Sequence, residues 1–83
     1  MILDRINLMR RLVAALGDAL FLAHEAGAQD HVLEFRALRI AASRDLGEIT
    51  RNAFTNGGIS EAEAQAAMRP IYSAQNEMSH SGV

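Results

Sequence analysis

Cysteine, lysine and tryptophan are all missing from this chain of 83 residues, and proline occurs once. The lack of cysteine removes disulfides and every thiolate metal site. A domain of this length buries only about 60–65% of the surface its unfolded chain exposes, so it commonly leans on a disulfide, a structural metal or a partner chain. A partner chain is the support this composition leaves most open. Long hydrophobic runs are also lacking. The longest, of which Ala19-Leu20-Phe21-Leu22-Ala23 is one, fall far short of the ~20 residues of a membrane span. Arg10-Arg11 ahead of an apolar stretch, with Ala26-Gly27-Ala28 after it, resembles a secretory leader. Asp18 interrupts that stretch, however, His24-Glu25 sit just before the apparent cleavage site, and Ile2, Leu3 and Ile6 are wrong for a polar leader. A cytoplasmic protein is the expectation.

Neither sign of charge dominates. The net charge of −2 gives no pull toward a polyanion, and with lysine absent all eight basic residues are arginine. The forked guanidinium suits ordered ion pairs at interfaces, although GC-rich codon usage produces the same bias. What is abundant is ordinary globular material. Hydrophobic residues make up 49% and charged residues 22% of the chain, well away from the disordered regime.

The hydrophobic pattern predicts an all-α protein with helices at about 2–27, 31–55 and 61–78, in a single domain spanning 1–78 with a flexible tail at 79–83. In the first helix Ile2, Ile6, Met9, Val13, Leu16, Leu20 and Ala23 recur at alternating steps of four and three, the spacing of one packed face. Leu12 and Ala19 widen that stripe, and Gly27 is a natural stop. Asp30 is placed to cap the second helix, whose core face reads Phe35, Leu38, Ala42, Leu46, Ile49 and Ala53. Asn56-Gly57-Gly58 ends it. Ser60 and Glu63 form the pattern of a capping box for a third helix carrying Ala64, Met68, Ile71 and Met78, in which Pro70 forces a kink or restart. The short turn at Gly27 makes the first two helices an antiparallel hairpin. Its seam needs covering by the third helix or by a second copy, so the expectation is a dimeric helical bundle.

A second apolar line on the second helix points outward. Leu33, Ile40, Gly47 and Phe54 recur every seven residues, more than ~120° around from the core face, with Arg36, Arg44 and Arg51 around them. Apolar groups framed by arginine are what protein interfaces favour. Gly47 at the middle would let another backbone approach. Phe21 and Leu22 also point away from the main stripe of the first helix. These nine residues are the candidate interface, for a second copy of the chain or another protein.

Chemical constellations are sparse. Ser43, Ser60 and Ser73 lack a nucleophile-elbow context, and the helix start after Gly57-Gly58 is filled by Glu61 and Glu63. His24 and His31 flank the first turn beside Glu25 and Asp30, a weak metal candidate without one-turn His-x-x-x-His spacing. No cofactor is implied. The all-helical chorismate mutases are comparable in size and architecture. Their sites hold a dicarboxylate with arginines and a lysine; Arg10, Arg11, Arg36 and Arg39 are present here but lysine is not. A helix-turn-helix reading would use Asn56–Ser60 as its turn, yet the would-be recognition helix opens Glu61-Ala62-Glu63 and carries one arginine, Arg69. The expected function is therefore a regulator, adaptor or inhibitor-like module without catalytic chemistry. The alternatives are a dimeric enzyme or ligand binder with an arginine-lined pocket, or a nucleic-acid-associated regulator.

Overall fold

A computed structural model describes residues 1–75 and residue 77. They form three helices, α1 (Ile2–Glu25), α2 (Gln29–Thr55) and α3 (Glu61–Ala67), with no strand among the described residues. None of these helices is long and apolar enough to cross a membrane. The helices α1 and α2 pack as an antiparallel hairpin, and the periodic face of α1 is the one they share. Ile6, Val13 and Ala23 are buried, while Ile2, Met9, Leu16 and Leu20 are partly buried. From α2 come Ala42, Leu46 and Ala53, with Ile49 packed against them; Ile59 and Ala67 complete the cluster.

The buried side of α2 is rotated from the one its apolar residues suggest. Leu38, expected in the core, is 53% exposed, whereas Val32 and Thr50 are each only 2% exposed. The reason is that α2 is covered from two directions. Its hairpin partner lies on one side, and the chain running from α3 through Ile71 borders Arg39, Ser43 and Leu46 on the other, while Leu38 is left at the rim.

Both helix ends in the connections are built by glycine. Gly27 and Gly57 have φ of 68° and 77°, a left-handed conformation that costs other residues ~1 kcal/mol or more. Each permits the same pair of closing bonds. The Ala28 amide donates to Ala23 O (3.0 Å) and Gly27 to His24 O (3.1 Å). Likewise Gly58 donates to Ala53 O (2.8 Å) and Gly57 to Phe54 O (3.1 Å). The first connection is so tight that Ala28, not Asp30, is the N-cap of α2, without a side-chain cap bond. Asp30 sits instead inside the first turn, where its charge faces the positive end of the helix dipole.

The capping box of α3 forms as its sequence implies. Ser60 Oγ accepts from the Glu63 amide (3.1 Å), and Glu63 Oε1 accepts from the Ser60 amide (2.8 Å). The helix is shorter than the expected 61–78. It ends at Ala67, with the Met68 amide shared between Ala64 O and Gln65 O at 3.2 Å each. Pro70 disfavours helical backbone at Arg69 and cannot donate, so the chain leaves the helix before reaching it. Residues 70–73 are irregular and Ala74 and Gln75 are helical again. Met78 and the tail at 79–83 lie outside the described residues.

Candidate protein-interaction site

The outward line of α2 is exposed. Leu33, Ile40 and Phe54 keep 63%, 54% and 46% of their surface in solvent, and Arg36, Arg44 and Arg51 around them are exposed as well. Gly47 differs from its three companions. It is partly buried, and a methyl group added there would touch Met68 Cε at 3.6 Å, an ordinary contact. Within the chain it is the side chain of Met68, just past α3, that packs beside Gly47, at a distance an alanine would also accept. Phe21 and Leu22 on α1 are exposed to 61% and 64%. By helical geometry they lie about 100° apart, Phe21 toward the face carrying the C-terminal segment and Leu22 on the outer back of α1.

A further apolar line runs along the outer back of α1, turned away from α2. Leu8, Leu12, Ala15, Ala19 and Leu22 follow each other at steps of four, three, four and three. Leu8 is 60% and Leu12 47% exposed. The signal was present in the sequence as a second heptad interleaved with the first. Reading Leu12 and Ala19 as mere widening of the core stripe hid it.

The arginines divide into two groups. Arg36, Arg44 and Arg51 are solvent-facing, whereas Arg10 is 8% exposed and wholly engaged. Its Nε and Nη2 donate to the two carboxylate oxygens of Glu77 at 2.9 and 2.8 Å. Its Nη1 donates to Ala67 O and, at 3.0 Å, to Arg69 O. The two carbonyls are ones that the end of α3 leaves without helical partners, so a side chain of α1 caps a helix distant in sequence. Two neighbours act alike. Asp18 Oδ2 accepts from the Ala74 amide (3.2 Å), and Arg39 Nη2 donates to Ile71 O (3.5 Å) while its guanidinium lies against Gly17. Sequence reasoning placed Arg10 and Arg39 as possible ligand-binding groups; here they fasten the segment from 67 to 77 across the hairpin.

That segment roofs a cavity of about 200 Å³ between Val13, Ser43, Leu46 and Met68, with Arg39 and Arg69 at its edge. Small-molecule sites usually offer ~300–1,000 Å³. His24 and His31 stay on the surface. His31 Nδ1 lies 3.1 Å from Glu34 Oε1 and its ring stacks on Phe35, while His24 is exposed across the turn. Among the described residues no three His, Asp or Glu side chains gather where a metal ion could be held. No protein-family model matches the chain, no curated protein is significantly similar to it, and no solved structure matches its fold.

Proposed function

We propose that this chain is a cytoplasmic helical interaction module that binds another protein through the outer face of α2 and has no catalytic chemistry of its own. The observation that carries the reading is the pairing of exposed apolar groups with exposed arginines on one rigid helix. Leu33, Ile40 and Phe54 remain about half in solvent although the chain has its own core, and Arg36, Arg44 and Arg51 frame them. Large apolar anchors surrounded by guanidinium groups match a partner that offers an apolar groove or helix edged with carboxylates. The ligand-binding alternative has less support, because Arg10 and Arg39 are spent on the C-terminal segment and the cavity beneath it is small.

The test is affinity capture from the native host with wild-type protein and with Ile40→Asp. Because Ile40 is exposed, the substitution leaves the helical circular dichroism unchanged. A host protein retained by the wild type and lost with Ile40→Asp and with Arg44→Glu supports the reading. Identical retained sets reject it.

A further inference from the structure

We infer that the hollow beside the middle of α2 is an anchor pocket that takes one aromatic or branched apolar side chain from an acidic segment of the bound partner. The inference rests on the reading that the outer face of α2 binds another protein, and it names the chemistry that this partner presents. Size, position and charge carry it.

The hollow of about 200 Å³ is floored by Val13, Leu46 and Ala67, each at most 5% exposed, and bordered by Met68 and Ile71. A drug-sized ligand commonly needs ~300–1,000 Å³, but an apolar cavity of ~150 Å³ takes up benzene. One phenyl ring or one branched aliphatic group is therefore the occupant that fits. The hollow lies next to the outward line of α2. Ser43 on its rim is exposed and stands one helical turn from Ile40, and Met68 on the other border lies beside Gly47. A partner segment lying along the Leu33–Phe54 line passes this opening, and a single anchor seated in a central pocket dominates such an interface.

Charge fixes what flanks the anchor. Arg39 and Arg69 line the hollow, and no carboxylate does among the described residues. Arg36 lies one turn before Arg39, and Arg44 follows Ser43; both are exposed. Neither lining guanidinium has a carboxylate partner among the described residues, and Arg39 makes only its 3.5 Å bond to Ile71 O. The acids of α2 project elsewhere. Asp30, Glu34, Asp45 and Glu48 lie more than ~120° around the helix from Ser43. Asp18 on α1 accepts from the Ala74 amide (3.2 Å). The carbonyls of Ala67 and Arg69, which would repel an anion, are covered by Arg10. Carboxylates on either side of the anchor thus meet forked, charged donors. The same concentration of guanidinium groups disfavours a second copy of this face as the occupant.

Titration of isotope-labelled protein with blocked tripeptides, read as amide chemical shifts, tests the inference. The probes are acetyl-Asp-Phe-Asp-amide, its Asp-Ala-Asp and Lys-Phe-Lys counterparts, and phenylacetate as a free small acid. The expected result is saturable shifts at Ser43, Leu46, Met68 and Ile71 with Asp-Phe-Asp. Removing the ring should weaken binding about tenfold or more, and exchanging the aspartates for lysines should weaken it as well. Ser43→Phe, which fills the rim from an exposed position, should abolish the shifts with helical circular dichroism retained, and Arg69→Gln should weaken binding several-fold. Absence of shifts at those four residues overturns the inference, as does an Asp-Ala-Asp or Lys-Phe-Lys peptide that binds as tightly as Asp-Phe-Asp. Phenylacetate binding as tightly as the peptide overturns the assignment to a protein segment. The two readings fail separately. In host capture, a protein lost with Ile40→Asp but retained by Ser43→Phe removes the anchor pocket and leaves the α2 face standing. Identical captured sets for wild type and Ile40→Asp remove the α2 face itself.

Discussion

Arg10 shows how one side chain can hold a fold closed. Four of its five N–H donors are used, two on Glu77 and two on the carbonyls of Ala67 and Arg69. With both carboxylate oxygens and guanidinium buried, the pair adds little net stability when intact, but removing one member strands the other. Arg10→Met should therefore cost about 3–5 kcal/mol, measured by denaturant unfolding, and the double variant Arg10→Met/Glu77→Leu should recover a large part of that loss. Thr50 presents the opposite case. Its hydroxyl is buried and makes no hydrogen bond among the described residues, so Thr50→Val, which keeps the branched shape and removes the polar atom, should raise stability by about 1 kcal/mol. An unchanged or lower unfolding midpoint would show that Thr50 has a partner.

At the level of helices, boundaries fixed by local chemistry were the most legible. Gly27, Asn56-Gly57-Gly58 and the Ser60–Glu63 box each act within a few residues, and each ends or begins a helix where the sequence places it. Losing such a device has a definite cost. Gly27→Ala should destabilise by about 1 kcal/mol through its positive φ, and Ser60→Ala by about 1 kcal/mol through the lost cap, both read as lower thermal midpoints with helical circular dichroism retained. Features set by distant parts of the chain were not legible. Asp30 lost the capping position because the preceding turn is tighter than its residue types reveal. Leu38 fell outside the core, and Thr50 inside it, because the helical repeat of α2 does not say how far around the helix its neighbours reach. Pro70 marked a break in helix three, but not that the helix would finish at Ala67. The exposed line on α2 was readable from its seven-residue spacing. That on α1 was masked by the core heptad running beside it.

Taken whole, the molecule is a long slab, 44 × 25 × 18 Å, with a radius of gyration of 13.7 Å, against roughly 12 Å for a compact chain of this length. Two helices far longer than the third leave two broad sides. One is partly roofed by the chain from residue 67 onward, with the Leu33–Phe54 line along its outer edge; the other is bare, and the outer back of α1 carries Leu8, Leu12 and Leu22. The order of assembly follows from the roof. The bond between Arg10 and Glu77 spans 67 positions in sequence, and bringing such distant residues together is paid for in loop-closure entropy only after the hairpin has shortened the path. A chain emerging from the ribosome can zip α1 onto α2 early, yet the Arg10 guanidinium waits for a carboxylate that is synthesised 67 residues later. Until then the nascent hairpin leaves open the hollow between Val13 and Leu46 that residues 67–71 later border.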